Sequence, residues 1–289
     1  MGILSSWYAF AVMAMIFMGI QRFLYKVSAE KNCNTAWTTF SFMGTVTVLS
    51  SLLFLFIGDT VPSVPYLLLI SLVNSAAFLT ATIAHMEALK CMPATIVFPI
   101  IRLNAVFVVV FSILYFKDEL SMYQIMGIVL ALVVLGTLTR SLHTEEGTYQ
   151  NPRRGILLIS LSVFAGSIAA ISSKFAAIHT SKLGFIALSY LFSTLFSFCL
   201  RNRLHENGGS RNTRGALTIG LIMGLVNLAG YYCFLKALTS GPLSIIASIT
   251  GMHFTIAITL SFWIYQEKMS ASRIAGISLA VLSMILLRL

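Results

Sequence analysis

Residues 88–111 read ALKCMPATIVFPIIRLNAVFVVVF, an apolar run long enough to cross a bilayer with a permanent cation, Arg102, inside it. A charge at that depth costs about 3 kcal/mol or more, so it is retained for substrate chemistry or for pairing. The planar fork of Arg102 suits a carboxylate or phosphate. The same side chain could instead pair with helix carbonyls or with Glu87 and tie two helices together. Asn104 adds an amide two residues on, and His253 is an imidazole near the centre of another apolar run. Lys174 in SSKFAA is either a cavity cation or a snorkelling lysine. Asn227, Tyr231 and Tyr232 in GLVNLAGYYCF offer neutral polar and aromatic walls. Glu87 is the carboxylate placed most clearly inside a span, and His85, two residues earlier, falls on a different side of the helix. Glu87 is a candidate coupling acid, or one half of a gate with Lys236.

These residues are carried on an unusual background. Hydrophobic residues make up 58% of the 289 and charged ones only 10%, outside the range of a water-soluble domain. Apolar runs sufficient for a hydrocarbon core of roughly 30 Å recur near 7–25, 36–57, 66–89, 94–116, 122–139, 155–177, 183–200, 216–238, 243–264 and 271–287. The expectation is an all-α integral membrane protein of about ten transmembrane helices, multi-pass in the cell (inner or plasma) membrane. Connections that short leave no room for an extramembrane domain.

The first span follows an uncharged MGILSSW without a basic n-region or a cleavage site, so it is expected to be retained. Cys33, Cys91, Cys199 and Cys233 stand singly, without metal-ligand or disulfide spacing, and read as apolar fillers. No metal or cofactor is expected. The formal charge of +10 is spread over span ends rather than gathered on one face, which argues against nucleic acid. Lysines and arginines cluster after odd-numbered spans, and the positive-inside rule then puts both termini outside.

The chain repeats itself. The segment beginning EALKCMPATIVF aligns with the one beginning KALTSGPLSIIA at a shift of about 149 positions (242 minus 93). Pro93 falls on Pro242, Asp118 on Glu267, Ser121 on Ser270, Gly127 on Gly276 and Ala131 on Ala280. Earlier in each half, FMGIQRFLYK corresponds to FAGSIAAISSK, which brings Lys26 near Lys174. Two units, 1–140 and 141–289, follow, each with five spans. An odd number of crossings inverts the second unit relative to the first, the plan of many secondary transporters.

The doubled block of A-L-K or A-L-T, a Pro-led span, DELS or EKMS, and a Gly-containing last span resembles the EamA module of the drug/metabolite transporter superfamily. That resemblance implies a ten-helix carrier with a cavity lined by spans one, three, four, six, eight and nine. It also implies both termini in the cytoplasm, opposite to the charge count. Relatives in the superfamily that carry cations place an essential glutamate in the first span, where this chain has Gln21 and Arg22. The candidate cavity residues Arg22, Arg102, Lys174 and His253 are net positive against Glu87 alone. The reading is a secondary carrier for a small anionic or zwitterionic metabolite, an amino acid among the candidates, with proton coupling through Glu87 or His253 or no coupling ion at all, and a monomer or homodimer as the unit. A lipid-linked substrate flippase and a drug or quaternary-amine exporter are the alternatives. An enzyme is not expected, since no H-E-x-x-H, phosphate loop or paired intramembrane aspartates occur.

Overall fold

The computed structural model describes residues 6–57, 60–92, 97, 100–101, 103–140, 152–200, 212–265 and 271–288. Among them every regular element is helical: α1 (Ser6–Glu30), α2 (Thr35–Ile57), α3 (Val64–Cys91), α4 (Leu103–Phe111), α5 (Met122–Arg140), α6 (Pro152–His179), α7 (Lys182–Leu200), α8 (Thr213–Ser240), α9 (Leu243–Gly251), α10 (His253–Tyr265) and α11 (Ala271–Arg288). A π-helical turn, Ser112–Phe116, continues α4. Among the described residues seven stretches are long and apolar enough to cross a membrane: the bulk of α1, α2, α3, α6, α7 and α8, and the α9–α10 pair. The protein is a multi-pass, all-α membrane protein.

The helices are apolar around most of their circumference, as expected where the surrounding solvent is lipid rather than water. Their outward side chains confirm the point, with Phe56 85% and Leu114 75% exposed. Starts and stops follow local chemistry. Pro65 sits in the first turn of α3, where a missing N–H costs nothing. Asn212 caps α8 by accepting from Gly215 N at 2.8 Å. The expected single span at 243–264 is instead two helices, because the ladder is interrupted at Met252, whose N–H turns back to Ile249 O at 3.1 Å.

With little hydrophobic drive between helices in lipid, association relies on close packing and polar contacts. On α8, a Cβ at Gly220 would lie 2.6 Å from Thr38 O and 2.7 Å from Ser41 Cβ, so α2 and α8 pack backbone to backbone there. Packing is mostly between the two halves of the chain. α1 lies against α8, α9 and α10, α2 against α7 and α8, α3 against α6 and α7, α4 against α6 and α9, and α5 against α11. Exchanging α1–α5 for α6–α11 in order, with α4 answering to α9 and α10, maps this set of contacts onto itself.

Candidate functional site

The cavity at the centre has a volume of about 130 Å³ and takes its walls from six parts of the bundle. α1 supplies Met18, Gln21 and Arg22; α3 supplies Phe78 and Thr82; α4 supplies Asn104 and Val108. From the other half come Ser162, Gly166 and Ser173 on α6, Asn227, Tyr231 and Phe234 on α8, and Ala247, Thr250, Gly251 and His253 at the α9–α10 break.

Arg22 dominates the chemistry. Its Nε donates to His253 Nε2 at 3.2 Å, and its Nη1 lies 3.0 Å from His85 Nδ1. A guanidinium has donors only, so both imidazole nitrogens accept. The His253 proton therefore sits on Nδ1, which donates to Thr250 O, and both rings are neutral. The guanidinium also stands 4.9 Å from the Tyr25 ring centroid, while Tyr25 meets the His85 ring edge-on. Among the described residues no carboxylate is paired with Arg22. Two of its five N–H groups go to imidazoles, and the remaining three, two of them on Nη2, can serve a ligand.

Around this cation the polar groups are held in fixed directions. Asn227 Nδ2 donates to Gln21 Oε1 at 3.0 Å, Gln21 Nε2 donates to Tyr25 Oη at 3.1 Å, and Tyr190 Oη donates to Asn227 Oδ1. Behind the wall formed by Ala169, Ser173 and Tyr231, Asn74 Nδ2 donates to Ala169 O at 2.9 Å, Ser172 Oγ at 2.9 Å and Ser173 Oγ at 3.1 Å, and its Oδ1 accepts from Tyr231 Oη at 3.3 Å. Phe78, Tyr231 and Phe234 stack in series, with centroids 6.2 and 6.1 Å apart. A cation, a ring of amides and an aromatic wall together suit a small anion with an apolar body.

Residues 5–139 and again residues 153–289 match the family described as the EamA-like transporter family. The chain belongs to that family. It is accordingly a membrane transporter of the drug/metabolite transporter superfamily. A solved structure titled "Crystal structure of protein" is similar in fold, with a TM-score of 0.78 over 99% of both chains at 14% identity. No curated protein matches the sequence.

In this EamA-family protein Asn104, Asn227, Tyr231 and His253 meet at the cavity, and His85 reaches it through Arg22. Arg102 lies outside the described residues. Lys174 is elsewhere: buried, it donates to Leu238 O at 2.9 Å and Gly241 O at 2.8 Å, so it serves the carbonyls at the end of α8 rather than a cavity ligand. Tyr232 is half-buried against the main core and is not a cavity wall. Glu87 and Lys236 do not form a gate. Glu87 bonds Lys90 at 2.7 Å and stands 3.8 Å from Arg154, because α3 packs along α6. Lys236 is exposed beside the Phe10 ring, because α8 packs along α1. Equivalent positions in the repeat thus have separate neighbours. The sequence signal for Arg22 was present in the Gln21–Arg22 pair inside the first span. Asn74 and Ser173 carried no signal beyond being polar in an apolar run.

Proposed function

We propose that this protein is a secondary transporter that moves a small anionic or zwitterionic metabolite across the cell membrane by alternating access. The observation that carries the reading is Arg22: a guanidinium on a cavity wall whose described partners are two neutral imidazoles and an aromatic ring. In a low-dielectric interior such a charge favours an anionic ligand strongly, and its remaining N–H groups suit the oxygens of a carboxylate. The aromatic wall receives the apolar part of the substrate.

Alternating access is supported by the 149-position repeat and by helix contacts that survive exchange of the halves. Both fit two inverted five-helix units, 1–140 and 141–289, meeting at the cavity. Such units adopt two packings in opposite senses, and exchanging them changes which face is open. Glu87, held by Lys90 and Arg154, is not the coupling acid in this reading. A coupled proton goes to His85 or His253, each of which gives up its guanidinium donor when a substrate carboxylate takes Arg22.

The test is thermal stabilisation of the purified protein by a panel of amino acids, organic acids, phosphorylated metabolites and quaternary amines, beside Arg22→Gln and Arg22→Lys. A ligand at 100 times its Kd raises stability by about 2.7 kcal/mol. Carboxylates or phosphates should stabilise the parent and lose the effect in Arg22→Gln. Stabilisation of parent and variant alike by amines would refute the anionic reading and favour an amine exporter.

A further inference from the structure

One helical turn beyond the cavity, at the end where α1 begins, several elements converge on a polar cluster. Val108, Ala247, Phe234 and Ser173 line the cavity. Ser112, in the π-helical turn that continues α4, and Ser244, Leu238 and Lys174, on the same helices as their cavity neighbours, each lie within a turn of them. Asp118 Oδ2 accepts from Ser112 Oγ at 2.6 Å, Ser244 Oγ at 2.6 Å and Ser244 N at 3.0 Å. The last of these is a donor of the first turn of α9, so a carboxylate from one half of the chain caps a helix of the other half. Beside it, Lys174 donates to Leu238 O and Gly241 O, and its ammonium stands 5.8 Å from the Phe116 ring. A Cβ at Gly241 would meet the Trp7 ring at 2.8 Å, which places this cluster against the first turn of α1.

The segment that delivers Asp118 is irregular. It is the π-helical turn Ser112–Phe116, closed by Lys117 in the left-handed region at φ 52° and ψ 44°. A non-glycine residue in that region and a π-turn are both features found at functional joints.

The same residue types recur at the other end. At the repeat shift Ser112 answers to Ser261 and Phe116 to Tyr265, and with a one-residue gap earlier in the halves Lys174 answers to Lys26. There Lys26 Nζ stands 3.4 Å from Ser261 Oγ and 5.1 Å from the Tyr265 ring centroid. A lysine beside an aromatic ring thus flanks the cavity at both ends, while the serine bonds the lysine at one end and Asp118 at the other.

We propose that these clusters are the two gates of the carrier, and that Asp118 is the latch holding the first gate shut in this state by clasping the start of α9. Charge-assisted bonds to hydroxyl and N–H are strong while the end is dry and exchange for water when it hydrates, which suits a contact made and broken in each cycle. An apolar contact would serve equally well for packing alone. The proposal rests on the alternating-access reading above.

The test uses accessibility in oriented proteoliposomes. Cys33, Cys91, Cys199 and Cys233 are replaced by serine, and Ala247→Cys supplies a single thiol in the cavity. A charged, membrane-impermeant methanethiosulfonate is then applied to each face. The parent should react from the face away from Asp118. Asp118→Asn should raise the rate from the Asp118 face at least tenfold and lower it from the other. Ser244→Ala, which keeps the carboxylate and the α9 N–H, should move the rates in the same direction by less, and it decides the question if Asp118→Asn does not fold. Parent-like labelling in the folded variants, or a parent already reactive from the Asp118 face, overturns the latch. Labelling needs no substrate. Loss of Arg22-dependent stabilisation with gated labelling intact would therefore refute the anion site alone, and ungated labelling with that stabilisation intact would refute the gate alone.

Discussion

Lys174→Met separates a structural cation from a substrate-binding one. In the folded chain the ammonium is only 7% exposed and makes two bonds, at 2.9 and 2.8 Å, to carbonyls at the end of α8 that have no helical N–H partner left. Hydrogen bonds to a charged group contribute about 1.5–3 kcal/mol each, and a buried carbonyl left without a donor costs about 1–3 kcal/mol. Methionine fills similar space and spares the protein the desolvation of a buried ammonium, which offsets part of the loss. The net expectation is a destabilisation of about 2–4 kcal/mol. At roughly 2–4 °C per kcal/mol, the melting temperature in detergent should fall by about 4–16 °C. The shift produced by whichever carboxylate stabilises the parent should persist, because Lys174 is not on the cavity wall. Unchanged melting with loss of the ligand shift would refute the reasoning and return Lys174 to the cavity.

Gly19→Ala places a Cβ 2.5 Å from Ile256 Cβ and 2.7 Å from His253 O; α10 must move from α1, and ligand stabilisation should weaken at least tenfold in apparent affinity, as read by titrated thermal shift. Asn74→Leu removes four polar contacts joining α3, α6 and α8, and should lower stability by about 2–4 kcal/mol with Tyr231 misplaced, as checked by thermal unfolding with and without ligand. Cys33, in the turn between α1 and α2, is 1% exposed, and burial pushes its thiol pKa up. Its reaction with a maleimide near pH 7 should be slow until the protein is denatured, and should quicken only as the pH passes above the usual thiol range; rapid labelling of the native protein would contradict its burial.

Part of the site was legible because the bilayer makes polar residues conspicuous. His253, Asn104, Asn227 and Tyr231 stood out in apolar runs, and all four line the cavity. Arg22 stood out equally, three residues from the end of the expected span at 7–25, and counts among the candidate cavity cations. Lys174 and Glu87 were conspicuous for the same reason and were misplaced by it, since depth in a span says nothing about direction around the helix. Lys174 turns toward the carbonyls of α8, and Glu87 toward Arg154, because of which helix lies alongside. Asn74 was hidden among ordinary small polar residues of α3.

Composition, span length and the repeat by themselves determined that this chain is a helical membrane protein built twice over, because hydrocarbon admits only closed backbone hydrogen bonding and a repeat of polar and helix-breaking residues cannot arise from hydrophobicity alone. Which helix lies against which was decided in three dimensions. Packing in lipid depends on small-residue contacts such as Gly220 against Thr38 and Gly19 against His253, and these are relations between distant parts of the chain. From them follow the meeting of Arg22 with His85 and His253 and the clasp of Asp118 on α9, neither of which is written in the local sequence around any of those residues.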